Sequence, residues 1–340
     1  MRQMVCFWVA FFLLFTSNAN YANDALVHRK EAKLFVEKMV RQYHFDRKQL
    51  NAVLREAVYQ PKIIESMERP FEKKTWDIYK DLFLQPERVQ AGLAFWQANQ
   101  KALERAEKEF GVPPPMIVAI IGIETLYGKH QGNYRVLDAL TTLAFYYPKR
   151  SGFFTKELGE YLLLCREKGV PVTHFLGSYA GAIGKPQFMP SSYRFYAVDY
   201  TGTGKPDLVN SNADAIGSVA NYFHRHGWKR NEGVIEPVSV RGSHYKNLAM
   251  NTRAAGYEYK QLLKAGIKPS SFRMKPPVKA GLIELTNNKG QEYWLAYPNF
   301  YVITHYNTSP QYALVAYLFS QQLVNQWALN HQTGARPHVS

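Results

Sequence analysis

The sequence predicts a mainly α protein of the α+β class, with a small antiparallel sheet late in the chain. Three observations carry that expectation. Apolar residues recur at helical spacing from Val27 to about Phe110. A run opened by prolines and closed by glycine, Pro115 to Gly128, has the pattern of a buried helix. After Gly233 the texture changes to short β-rich runs separated by turn signals.

In chain order, the first helical region holds LFVEKMV, LNAVLREAVY opened by Asp46, TWDIYKDLF, and the stretch from Pro86 to Phe110. Gly111-Val112-Pro113-Pro114-Pro115 breaks it, and MIVAIIGIETLYG follows as the buried helix. Further helices are expected at about Val136 to Tyr146, Phe153 to Lys168, Gln187 to Tyr196 and Ala213 to His226. Between them lie glycine-rich loops, notably residues 177–184. The β-like runs are VIEPVSV, LIELT, EYWLAY and FYVITHY, with Asn287-Asn288-Lys289-Gly290 as a turn. Residues 309–327 return to helical spacing, with Ser309 as cap and Pro310 at the first helical position, and residues 328–340 read as a polar tail.

The amino terminus has its own pattern. An apolar run from Met4 to Phe15 follows Arg2 and ends in small and polar residues, so residues 1–22 read as a signal peptide, with cleavage after Ala19 or Ala22. The run is shorter than the roughly 20 residues a spanning helix needs, and an uncleaved tether is the alternative reading. One of the two cysteines, Cys6, sits inside this segment and the other is Cys165, which excludes a disulfide framework. Lys and Arg number 42 against 27 Asp and Glu, and the chain stays strongly basic without its leader. In a cytoplasmic protein such charge beside 23 Tyr and 20 Phe would suggest nucleic acid, but export argues against it. Outside the inner membrane the polyanions are a wall polymer bearing peptide carboxylates and anionic lipid head groups. Solubility alone also accounts for the charge.

Missing motifs prune the chemistry. There is no HExxH, no CxxC and no GxSxG. Gly202-Thr203-Gly204-Lys205-Pro206 has proline where a phosphate loop needs Ser or Thr, so nucleotide binding is discarded. Glu124 stands out instead, at the end of the apolar run with Ile117, Ile120 and Ile121 on its face and Tyr127 a turn onward. Desolvation there would raise its pKa and keep a proton available near neutral pH, as a glycosidase acid requires. Burial logic fits equally a helix-end glutamate held by a Lys or Arg.

Three blocks together resemble a known family: Gly122-Ile123-Glu124-Thr125-Leu126-Tyr127-Gly128; Tyr179-Ala180-Gly181-Ala182-Ile183-Gly184 leading into Gln187-Phe188-Met189-Pro190-Ser191-Ser192-Tyr193; and Tyr306-Asn307-x-Ser309-x-x-Tyr312-Ala313. Their order and spacing are similar to those of the membrane-bound lytic murein transglycosylase B group, over about residues 30–327. The resemblance implies a lysozyme-like core flanked by a helical domain, with a small inserted antiparallel β domain. The expected division is a signal peptide at 1–22, a helical domain at 23–110 plus 309–327, a catalytic core at 111–232, and a β-rich domain at 233–308.

The resemblance also implies cleavage of the β-1,4 bond between N-acetylmuramic acid and N-acetylglucosamine in peptidoglycan, in the periplasm. Glu124 then protonates the bridging oxygen and takes the proton of the C6 hydroxyl, leaving a 1,6-anhydro sugar. Such chemistry tolerates a single carboxyl, whereas most glycoside hydrolases need two, about 5–5.5 or 6.5–9.5 Å apart. Asp138 is the nearest downstream acid in sequence. Ser178 and Gln187 match residues lining the site, and Tyr79, Tyr222, Tyr306, Asn307 and Tyr312 match groove residues where rings stack on sugars. Lys149 and Arg150 take the place of a basic pair suited to peptide carboxylates. Glycan strands are the expected partner, other wall-remodelling enzymes are further candidates, and no nucleic acid or nucleotide is expected. A lysozyme-type hydrolase and a non-catalytic wall-binding protein are the alternatives.

No cofactor is required by this reading. The family's EF-hand-like loop corresponds to Asp199 to Asp207, with Asp214 further on, but Thr203 stands at its fifth position and Asn210 at its twelfth. Asp199, Thr201, Thr203 and Asp214 form a candidate site for weakly bound calcium or sodium, and a metal-free turn is the favoured expectation.

Overall fold

The computed structural model describes residues 26–69, 74–270 and 278–333. The expected signal segment with Cys6, and residues 334–340 of the expected tail, lie outside them. Its helices are α1 (Lys30–Tyr43), α2 (Arg47–Glu56), α3 (Pro61–Glu68), α4 (Trp76–Phe83), α5 (Pro86–Ala98), α6 (Gln100–Phe110) and α7 (Pro114–Thr125), then α8 (Val136–Tyr146), α9 (Ser151–Lys168), α10 (Pro190–Tyr196) and α11 (Asn212–Arg225), and finally α12 (Tyr259–Lys264), α13 (Pro298–Tyr306) and α14 (Pro310–Thr333). Strands β1 (Tyr134–Arg135) and β2 (Leu176–Gly177) form one short pair. Strands β3 (Ile235–Val240), β4 (Tyr257–Glu258), β5 (Ile267–Pro269), β6 (Lys279–Asn287) and β7 (Gly290–Ala296) form an antiparallel sheet of order β4-β6-β7-β3-β5.

The helix starts follow the sequence signals. Asp46 accepts the Gln49 N–H at 2.8 Å to open α2, and Ser211 accepts the Asp214 N–H at 3.1 Å to open α11. Prolines begin α3, α5, α7, α13 and α14, where their missing N–H costs nothing.

The chain forms two compact units. The first takes residues to 70 together with Gln131–Phe195. In it α8 packs on α9 and α3, and Leu137, Leu140, Leu143 and Leu158 are fully buried. The second unit takes Phe71–His130 and residues from Tyr196 onward. Helix α7 is its centre, packed on α14, α5, α11 and α6. It is apolar on every side, so it can only be a buried helix. Its Ile117, Val118, Ile120 and Ile121 are fully buried, each contributing roughly 1.5–3 kcal/mol. In the same unit Leu262, Ile267, Ala280, Leu282 and Leu295 pack the sheet, and α4 rests on β6.

The expected domains, divided at 110/111 and 232/233, are a functional division, and the compact units divide at 70/71, 130/131 and 195/196. Helix α7 shares its core with α5 and α6 before it, whereas α8 and α9 pack with the amino-terminal helices. The run FYVITHY is a correction: expected as a strand, it is helix α13. Asn299, Phe300, Tyr301, Val302 and Ile303 are buried in succession, so the run has the composition of a strand while every face of a helix is covered. Asn299 fixes its start, accepting the Lys229 N–H and donating to the carbonyls of Lys229 and Glu232. Two boundaries also differ. The last helix continues to Thr333, past the expected end at 327, and α10 begins at Pro190 because Gln187 has a left-handed backbone, φ 49°.

Candidate active site

Glu124 is the penultimate residue of α7. The residue is half-buried, and Tyr312 donates a hydrogen bond to its Oε1 at 2.5 Å. Burial pushes the carboxyl up to about 7, and the Tyr312 hydrogen bond, which favours the charged form, pulls against that rise. No Lys or Arg salt bridge holds it among the described residues, so the helix-end reading left open by the sequence does not apply. A carboxyl titrating near neutrality can both give and take a proton at working pH.

Helices α13 and α14 bring the aromatic groups. Tyr312 lies one turn into α14, where Ser309 caps its N–H, and Tyr306 closes α13. Their rings stack at 6.5 Å with 6° between planes, and Tyr306 meets Tyr222 of α11 edge-on at 5.0 Å. The Tyr222 hydroxyl donates to the His305 carbonyl at 2.7 Å, which holds α11 to α13. Burial and the nearby Glu124 push the phenols of Tyr306 and Tyr312 well above their ordinary value. They remain neutral donors wherever Glu124 titrates. Tyr79 is buried in α4 between the rings of Trp76 and Phe83, and its phenol is among the groups opposing ionisation of Tyr312. Asn307 accepts the Ser309 N–H at 3.0 Å and shapes the bend between α13 and α14. Glu124, Tyr79, Tyr222, Tyr306, Asn307 and Tyr312 therefore belong to one unit.

The helix does not carry Tyr127 onward to the next turn on the Glu124 face. It ends at Thr125, and both Leu126 (φ 48°) and Tyr127 (φ 61°) are left-handed, a conformation costing roughly 1–2 kcal/mol for each. Tyr127 folds back and stacks on Phe95 of α5 at 4.8 Å. Its hydroxyl occupies the space where a Cβ on Gly92 or Gly122 would stand. Beside it Arg88 of α5 donates to the Gly122 carbonyl at 2.5 Å. Sequence reasoning missed Arg88 and Gly92. The signal available was an arginine four residues before a glycine inside a helical run.

The profile of the transglycosylase SLT domain family matches residues 28–321. The chain belongs to this family. Over 300 residues it is 39% identical to membrane-bound lytic murein transglycosylase B of Escherichia coli K12, covering 85% of this chain and 81% of the relative. It is similar to the catenated lytic transglycosylase SltB1 of Pseudomonas aeruginosa, with TM-score 0.82, 40% identity, and 88% and 98% of the two chains covered. The Escherichia coli lytic transglycosylase Slt35 in complex with calcium gives a TM-score of 0.79 at 39% identity, with 87% and 93% covered.

This transglycosylase carries its remaining expected residues in the other unit. Ser178 accepts the Ala182 N–H at 3.1 Å, and the Gln187 amide donates to the carbonyls of Gln131 and Gly184 at 3.1 and 3.0 Å, so both brace the glycine-rich loop. Lys149 is exposed and bound to both oxygens of Glu68 at 2.8 Å, while the Arg150 guanidinium lies over Phe153 at 4.5 Å. Asp138 is not a free acid: Arg135 grips both its oxygens at 2.8 Å, and Val58 donates to it from the backbone.

In the transglycosylase loop, Asp214 is fully buried, and its carboxylate accepts the N–H groups of Tyr200, Thr201 and Asp207, so it anchors the loop to α11. Asp199 likewise accepts from the N–H groups of Gly202, Thr203 and Gly204. Thr201 donates its hydroxyl to Asp199, and Asn210 at the twelfth position donates to Asp207. The donor set does not fit a tight calcium site, which needs a bidentate acid at that last position.

Proposed function

We propose that Glu124 is the single proton donor and acceptor with which this lytic transglycosylase opens the bond between N-acetylmuramic acid and N-acetylglucosamine in peptidoglycan. The observation that carries the reading is a carboxyl raised to about 7 beside two phenols that stay neutral. In its protonated form Glu124 gives its proton to the bridging oxygen as the glycosidic bond breaks. The resulting carboxylate takes the proton of the C6 hydroxyl as that oxygen closes onto C1, which leaves a 1,6-anhydro end and restores the acid. The Tyr312 hydrogen bond stabilises the carboxylate between the two transfers. Tyr306 and Tyr222 offer ring faces and Asn307 an amide to the sugars. Ser178 and Gln187 are the proposed acetamido contacts, and Lys149 and Arg150 the proposed contacts for peptide carboxylates.

The setting is the periplasm, reached by way of the expected leader. No described helix is long and apolar enough to cross a membrane. Other wall-remodelling enzymes are the proposed protein partners. The proposed cation role is weak calcium or sodium binding at Asp199, Thr201, Thr203 and Asp214, and no chemical step uses it.

Digestion of purified sacculi tests the reading. Products lighter by one water than hydrolytic fragments are expected, whereas reducing ends alone would establish a lysozyme-type hydrolase. Glu124→Gln is expected to lower the rate by roughly 10²–10⁴ with wall binding retained. A wild-type protein that binds sacculi without cutting them would establish the scaffold reading.

A further inference from the structure

We infer that Arg88 is a positioning residue for Glu124, acting through the turn that ends α7. This rests on the proposed role of Glu124 and goes beyond it. Two successive non-glycine residues in left-handed backbone, Leu126 and Tyr127, one residue beyond Glu124, persist only if their surroundings hold them there. The holding groups come from α5. The Arg88 guanidinium, half-buried and without a carboxylate partner among the described residues, donates to the Gly122 carbonyl, which also accepts the Leu126 N–H. One carbonyl in the last turn of α7 thus joins α5 to the first left-handed residue.

The second hold is Tyr127. Its ring lies on Phe95, and its hydroxyl is buried without a hydrogen-bond partner among the described residues, in the space left open by Gly92 and Gly122. What Tyr127 contributes there is the ring contact and the volume it fills between Gly92 and Gly122. Arg88, Gly92 and Phe95 occupy successive turns of one face of α5, so the clamp is a single rigid surface. Its product is the direction in which Glu124 leaves the helix, and with it the hydrogen bond from Tyr312. The cation also sits at the carbonyl end of α7, where positive charge is favoured. The titratable groups facing Glu124 are Tyr312 and Tyr306, and the one facing Arg88 is Tyr127.

The test compares Arg88→Met and Arg88→Lys with the wild type on soluble glycan strands, measuring kcat, KM, the pH–rate profile and Tm. Wild-type formation of anhydro products is the control, and its absence would sink the proposed function rather than this inference. The expected result for Arg88→Met is a fall in kcat of about tenfold or more, KM within twofold, and a basic limb displaced upward. Arg88→Lys, which keeps a cation within reach of the carbonyl, is expected to recover a substantial part of kcat and most of the limb position. Loss of Tm with kcat and the limb unchanged would show a purely structural cap and overturn the inference. If Arg88→Met fails to fold, Arg88→Ala takes its place, and wild-type kcat with an unmoved limb in that variant overturns the proposal.

Discussion

Glu124 is an acid whose environment works against its ionisation, and this has two measurable consequences. Folding raises the carboxyl from 4.5 to about 7, so between those values the folded protein holds a proton that the unfolded chain releases. The corresponding stability is complete below about pH 4.5 and is lost as pH rises through 7. Glu124→Gln is therefore expected to match the wild type at pH 4 and to be more stable at pH 8. The full shift corresponds to about 3 kcal/mol, discounted to about 1–2 kcal/mol because the residue is half-buried. Thermal unfolding at the two pH values measures it, and equal stability at pH 8 would show that the carboxyl is not desolvated. Tyr312→Phe removes the donor that favours the charged form. Its basic limb should move upward by roughly half a pH unit to one unit, as expected for one net hydrogen bond. The sequence made Glu124 legible as a desolvated carboxyl because its apolar neighbours share its helix. Tyr312 as its donor was legible only as a groove residue, since 188 positions separate the pair.

Among the elements, the cation loop shows what a motif match leaves undecided. The acidic positions can be counted in sequence, but the direction of Asp214 depends on how α11 meets the loop. Because its carboxylate satisfies three backbone donors, Asp214→Ala is expected to cost about 3 kcal/mol in urea unfolding, with or without calcium. Calcium at about 2 mM should move the Tm of the wild type by less than about 2 °C, since a weak site contributes little by mass action. A large calcium-dependent rise in Tm, absent from Asp199→Ala, would reverse that reading. Helices with a local start signal were legible: Asp46 and Ser309 sit where caps belong. Helix α13 was not, because β-branched and aromatic residues suit a strand until burial on all sides makes them a helix core.

For the whole molecule, charge is the property composition states outright. With 42 Lys and Arg against 27 Asp and Glu, retention on anionic sacculi should weaken several-fold between about 50 and 500 mM salt. Sedimentation of inactive Glu124→Gln with sacculi reads this directly, and salt-independent retention would assign binding to the aromatic groove instead. The division into two units was not visible in the linear order. It depends on which helices share a core, and the chain crosses from one unit to the other more than once.

Composition, spacing and three short blocks were enough to specify a mainly α chain with a late sheet, the family, and one acid on a buried helix. These are local properties, or matches of whole blocks, and each is complete within a short stretch of chain. Folding settled which groups surround that acid: Tyr312 as its donor, Arg88 and Tyr127 at the turn behind it, Asp214 turned inward, and Asp138 locked by Arg135. A side chain's direction and its desolvation are set by neighbours remote in sequence, and those neighbours exist only once the helices have packed.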